Sequence, residues 1–259
     1  MEVFSVELIL TGFLIFVRVS ALVGSAPFFS NASIPVRVKA LTAIALTIIL
    51  YPIVPLQGAA IPMDAKSLEV VIAILKEVLV GIAMGLTGQL IFAAFQMGGE
   101  LMSINIGIAF ANVVDPVSQN QGSIISQLFM LLGIFIFLGI GGHIYYIRAL
   151  AESFDIVPVG VMVAHQAAPV FMRIAAYMFI ISVQMAAPFI IVLFLLDLSF
   201  AIFARIMPQA NIFFIALPLK IGIGFLLLLL ILPFTPMAFE SFFDRIWGFL
   251  DQLLQALSG

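Results

Sequence analysis

The chain has 259 residues, 64% of them hydrophobic and 9% charged, with a net charge of −3 and a mean hydropathy of +1.30. Soluble domains are about half apolar and about a quarter charged, so water is not the main solvent of this chain. Ten Lys and Arg against thirteen Asp and Glu exclude a concentrated basic face for nucleic acid, and the lack of cysteine excludes disulfides, thiolate metal sites and thiol catalysis.

The first apolar run, about 8–28, follows a start that carries Glu2 and Glu7 and no basic leader, so it reads as a retained helix. Further runs lie at about 38–54, 68–97, 124–147, 170–203 and 212–234, each near or above the ~18–20 residues that span a hydrocarbon core, the second being the shortest. Breaker-rich connections separate them at Pro27–Pro35, Pro52–Pro62, Asp115–Gly122 and Pro158–Pro169. Backbone polar groups in an apolar medium must bond internally, which predicts an all-α fold. The positive-inside rule gives no orientation. Arg37, Lys39 and Arg205 fall on one side, and Lys66, Arg148, Arg173 and Arg245 on the other. A faint echo links Pro35-Val-Arg37, which opens one run, with Pro218-Leu-Lys220, which opens another.

The tail continues with helical spacing. Phe239, Phe242, Phe243, Ile246, Trp247, Leu250, Leu253, Leu254 and Leu257 share one face, and Glu240, Asp244, Arg245 and Asp251 lie on the other. The excess of acid on that polar face disfavours anionic lipid, and leaves docking on a protein or lying on a membrane surface both open.

The segment Gly98–Gln121 carries two signals at once. Gly99, Ser103, Gly107 and Ala111 recur every four positions and predict a smooth stripe for close backbone approach. Asn105, Asn112, Asp115, Gln119, Asn120 and Gln121 then concentrate polarity in a chain that otherwise avoids it. A second stripe, Gly81, Gly85, Gln89 and Ala93, precedes it. Both stripes suit contacts within the chain or packing between subunits. Charges inside apolar runs are costly without partners, so Arg18, Glu77, Asp197, Arg205 and Lys220 are candidates for a buried charge network, with Glu100 at its edge. Asp197 and Arg205 share a helix face two turns apart, and Lys220 on the next helix is a candidate to join them. Such groups fix helix register or line an ion path.

Enzyme signatures are missing. The chain has no phosphate loop, no His-Glu-x-x-His zinc helix and no dinucleotide glycine fingerprint, and neither His143 nor His165 has a second ligand at helical spacing. No catalytic, cofactor or metal residue is therefore assigned.

Four motifs in order resemble one family: Ala26-Pro27-Phe28 with Pro35-Val36-Arg37-Val38-Lys39; Gly99-Glu100 with Asn105-Ile106-Gly107 and Asp115-Pro116-x-Ser118; Gly142-His143 with Ala149-Leu150-Ala151-Glu152-Ser153-Phe154; and Pro208-Gln209-x-Asn211-x-Phe213 with Pro218-Leu219-Lys220. Their order and spacing are similar to the FliR/SctT family of type III secretion export-gate proteins, the second and third being closer to the flagellar branch. The resemblance implies very hydrophobic helical hairpins in an extended arrangement, a FliP-like portion at 1–165 continued by a FliQ-like hairpin at 166–259. It implies a helical assembly with FliP-like and FliQ-like subunits in the bacterial inner membrane at the flagellar basal body. FlhB-like and FlhA-like components, and unfolded substrate proteins in transit, belong to the same picture. It also places a pore plug around 106–122, movable about Asp115-Pro116, in which Phe110, Val113 and Val114 suit an apolar seal and Asn112, Asp115, Gln119, Asn120 and Gln121 the wet side. Gly81, Gly85, Gly99, Ser103, Gly107 and Ala111 are then expected at subunit contacts. The competing expectation, a stand-alone ion-coupled transporter, would use Glu77, Asp197 and Lys220 as a relay.

Overall fold

A computed structural model describes residues 6–27, 29, 34–55, 67–108, 123–162, 167–209 and 211–258. Among these residues the backbone is helical, with no strand, as the need for internal hydrogen bonding predicts. The helices are α1 (Val6–Ser25), α2 (Val36–Leu50), α3 (Ser67–Ile106), α4 (Ile124–Gly139), α5 (Gly142–Ile156), α6 (Ala167–Ile206), α7 (Ile212–Ile231) and α8 (Thr235–Ser258). A 3-10 turn, Leu232–Phe234, joins the last two.

Helix lengths depart from the apolar runs in two places. The second run yields a 15-residue α2, too short for a full span. The run at 124–147 is two helices, because Gly141 takes a left-handed φ of +74° and α5 restarts at Gly142. Gly142 lies directly against the Phe137 ring, where an added Cβ would collide. Four stretches are long and apolar enough to cross a membrane: Leu8–Ser25, Ser67–Ile106, Ala167–Ile206 and Phe214–Ser258. Counting α4 and α5 as one bent span makes a fifth.

Proline does different work at the two ends of the supposed echo. Pro35 is the N-cap of α2, whereas Pro218 lies inside α7. Pro188 likewise lies inside α6. Each interior proline removes one intrahelical hydrogen bond, and neither opens an apolar run, so the echo is not a structural repeat.

Two compact units alternate along the chain. One comprises Met1–Ile91, Phe137–Ala175 and Phe243–Gly259; the other comprises Phe92–Ile136 and Ala176–Phe242. In the first, α1 contributes buried Leu14, Ile15 and Val19, α3 contributes Val80 and Met84, and α5 contributes Leu150 and Phe154. Phe243, Ile246, Leu250, Leu253, Leu254 and Leu257 of α8 are buried too. Phe137 lies 5.5 Å from Phe243 and 6.5 Å from Trp247, centroid to centroid. The apolar face of α8 is thus covered by its own chain, not held out for lipid or a partner. In the second unit Phe95 stacks on Phe239 at 3.9 Å, and the Ser182 hydroxyl donates to the carbonyl of Ala94 at 3.1 Å, tying α6 to α3.

The left-handed turn that ends α4 tolerates glycine best. Gly141→Ala should cost about 1 kcal/mol, read as a lower unfolding temperature of the detergent-solubilised chain; an unchanged melt would show that the break does not need this conformation.

Candidate functional site

The most heavily bonded side chain described is Arg18, in the middle of α1 and fully buried. A guanidinium has five N–H donors, and all five are used. Nε donates to Glu77 Oε2 at 2.6 Å and Nη2 to Glu77 Oε1 at 3.2 Å, a two-pronged pairing with α3. Nη1 donates to the Ser153 carbonyl at 3.0 Å and to its hydroxyl at 3.2 Å, and Nη2 also donates to the Val157 carbonyl at 2.9 Å. These carbonyls belong to the C-terminal end of α5, where the negative end of the helix dipole favours a cation. The Phe154 ring lies under the guanidinium at 4.2 Å. Glu77 is equally occupied, since its Oε1 also accepts from the Gly160 backbone N–H at 2.8 Å. Lys76 Nζ donates to the Gly160 carbonyl at 3.3 Å, tying the same loop to α3.

The glycine stripes explain how this clamp closes. Glu77, Gly81 and Gly85 are spaced by four on α3, and their neighbours on α1 are Arg18, Ala21, Leu22 and Ser25. A Cβ at Gly81 would lie 2.5 Å from the Arg18 carbonyl oxygen, and one at Gly85 would overlap Ser25. Gln89 Nε2 donates to the Ser25 carbonyl at 2.8 Å. This stripe is therefore filled by the chain's own α1. In the other stripe a Cβ at Gly99 would lie 2.5 Å from Ser126 Cα, so that glycine is filled by α4. Ser103 is buried, and its hydroxyl has no hydrogen-bond partner among the described residues.

The stripe does not run on through Gly107 as one helix. α3 stops at Ile106, and Gly107 follows it with φ +93°. Gly107 N–H donates to the Ile104 carbonyl at 3.2 Å and Ile108 N–H to the Ser103 carbonyl at 3.2 Å, the paired bonds of a glycine C-cap. Ala111, Phe110, Asn112, Val113, Val114, Asp115, Pro116, Gln119, Asn120 and Gln121 lie outside the described residues, as does His165. The far flank is described. The Ser123 hydroxyl accepts from the Ser126 N–H at 3.1 Å as the N-cap of α4, and Ser123 N–H donates to Glu100 at 3.4 Å.

Among the described residues, four of the five candidate charges fall into two ion pairs. Lys220 Nζ pairs with Asp197 at 2.9 Å, joining α7 to α6 in the second unit, while Arg18 and Glu77 belong to the first. Arg205 is exposed and makes no ion pair among the described residues. His143 is exposed on the first turn of α5, at the rim of an apolar slot lined by Leu22, Val23, Leu46, Phe137 and Leu150. Among the described residues no three His, Asp or Glu side chains gather as a metal site. The Arg18–Glu77 pairing was not assigned from the sequence. The signal for it was present, because Glu77 is the stripe position one turn before Gly81.

Burial separates the two ion pairs energetically. Glu77→Ala strands a buried guanidinium and should cost about 3–5 kcal/mol. Asp197→Asn, at a side chain 53% exposed, should cost less than about 1 kcal/mol. Thermal unfolding of the two variants in detergent checks this order, and equal losses would contradict it. Gly85→Leu should also unfold at lower temperature, by overpacking worth about 1–3 kcal/mol.

Comparison with known proteins extends along the same helices. The family described as bacterial export proteins, family 1, matches residues 9–246. The chain is 32% identical over 245 residues to the flagellar biosynthetic protein FliR of Pectobacterium carotovorum subsp. carotovorum, covering 94% of this chain and 92% of that protein. It is 30% identical over 241 residues to FliR of Escherichia coli (strain K12), covering 93% and 91%. The FliR of Aquifex aeolicus (strain VF5) is 30% identical over 257 residues, covering 98% of each chain. With a match running from the first turn of α1 to the middle of α8, the chain belongs to the bacterial export proteins, family 1.

Proposed function

We propose that this chain is a non-enzymatic export-gate subunit of a flagellar protein-secretion apparatus in the bacterial inner membrane, packing with other small apolar subunits around a passage for unfolded proteins. Membership in an export family and relatives named for flagellar biosynthesis support the reading. The observation that carries it is the bare apolar surface of α6 and α7. Phe194, Leu198, Ile202, Phe214, Ile215, Leu229 and Leu230 are all exposed. Only 11% of the most apolar window in Phe214–Ser258 is buried, against 44% in Ser67–Ile106. Continuous apolar surface of this extent needs a cover. In this reading FliP-like and FliQ-like subunits supply much of it, with FlhB-like and FlhA-like components nearby. The α6–α7 hairpin then belongs to the FliQ-like portion, 166–259, and the preceding helices to the FliP-like portion, 1–165.

The gate needs a closure. A hole wide enough for a polypeptide leaks ions unless sealed, and the membrane potential drives each charge with about 2.3 kcal/mol per 100 mV. We assign that seal to residues 110–121. Their flanks support it: the Gly107 cap and the Ser123 cap give the segment two firm ends on α3 and α4. Phe110, Val113 and Val114 would exclude water when shut. A stand-alone ion-coupled transporter is less well supported, because Glu77 is fully buried and held by three hydrogen bonds from Arg18 and Gly160.

Co-expression with two other small apolar subunits of the same cells should yield a complex of fixed ratio, measured by native mass spectrometry. A chain that stays monodisperse alone and takes up a solute in vesicles would favour the transporter. Deleting residues 110–121 in cells carrying the assembled complex should raise ion conductance; unchanged conductance would remove the plug assignment.

A further inference from the structure

With the apolar face of α8 buried in the chain, its polar face is what remains open, and it forms one wall of a groove with α5. Tyr145, Arg148, Glu152, Trp247 and Asp251 line that groove. Tyr145 stacks on Trp247 at 5.0 Å and 17°, though Tyr145 is half exposed. Tyr146 meets the same indole edge-on at 5.5 Å, which helps to fix the platform. The charges follow the same lines. Asp244, Trp247 and Asp251 recur at i, i+3 and i+7 on α8, and Tyr145, Arg148, Glu152 and Asp155 at i, i+3, i+7 and i+10 on α5. The Arg148 guanidinium pairs with Glu152 at 2.8 Å. Asp155, Asp244 and Asp251 are exposed and make no ion pair among the described residues. Glu152 and Asp251 thus line the groove with Arg148, and Asp155 and Asp244 lie on the same helix lines outside its lining. Arg245 lies roughly 100° round α8 from Asp244, off this line.

We infer that this groove docks a basic segment of a partner protein, with an Arg or Lys side chain seated on the Tyr145–Trp247 platform beside Asp251. A cation over an indole face gains from the ring quadrupole, and flanking carboxylates add to it. The carboxylates Asp244 and Asp251 are separated by about 10 Å of helix rise, so they do not converge as metal ligands do, but they do match cations two turns apart on a second helix. Anionic lipid and nucleic acid carry the wrong sign for this surface. The inference is independent of whether the chain lines a pore.

Trp247 is the only tryptophan, so its emission reports on the groove. The full chain in neutral detergent is titrated with a helical alanine-based peptide carrying Arg two turns apart. A saturable change in Trp247 emission is expected. It should weaken about tenfold in Glu152→Gln/Asp251→Asn and at about 0.5 M salt, where screening is strong. Circular dichroism of that variant checks its fold, and Glu69→Gln, an exposed acid on α3 outside the groove lining, should titrate like the parent. The inference fails if the peptide gives no saturable change, if a glutamine analogue of the peptide titrates equally, or if the double variant binds unchanged. A response to phosphatidylethanolamine in mixed micelles without one to the peptide would assign the groove to a lipid headgroup instead.

Discussion

The architecture of the first unit depends on the buried pairing of Arg18 with Glu77. A guanidinium and a carboxylate in an apolar interior lose several kcal/mol each of solvation, and the loss is recovered only when every donor finds a partner. Here every donor on α1's Arg18 does, and the partners come from α3 and the end of α5. The pair therefore sets the register of three helices at once. The glycines beside it are a consequence of the same requirement: without Gly81 and Gly85, α3 could not come close enough to α1 for the two charges to meet.

That constraint also sorts the remaining polar groups. Arg18 has no spare donor and Glu77 is held with it in a fully buried pair, so both are poor candidates for proton or ion movement. The Asp197–Lys220 pair is different, half open on an otherwise apolar hairpin, where it links α6 to α7 without closing a core. The second unit is held instead by aromatic stacking of Phe95 on Phe239 and by a single serine bridge from α6 to α3. The buried ion pair thus belongs to the first unit, while large apolar side chains are exposed on both, among them Ile48 and Leu68 on the first and Phe194 and Leu229 on the second.

Breaks in the helices are as purposeful as the helices. Gly107 ends α3 and Ser123 starts α4, bracketing the segment assigned to closure. Gly141 separates α4 from α5, and the far end of α5 supplies the carbonyls bound by Arg18. The same break frees α5 to lie beside α8, where Tyr145 meets Trp247.

Much of this was written in local pattern. Hydropathy and the need for internal backbone bonding determined an all-α chain, the small-residue stripes marked where backbones approach, and four ordered motifs pointed to the export family. The sequence could not say which backbone would fill Gly81 or Gly99, because a stripe of glycines is equally open to its own chain and to a neighbour. Nor could hydropathy divide the run at 124–147, since glycine interrupts a helix only when φ becomes positive. Pairing of Arg18 with Glu77, 59 positions apart, and burial of α8 within its own chain were decided by tertiary packing alone. Both are long-range contacts, and what selects them is the cost of leaving a charge or an apolar face without a partner once the helices are brought together.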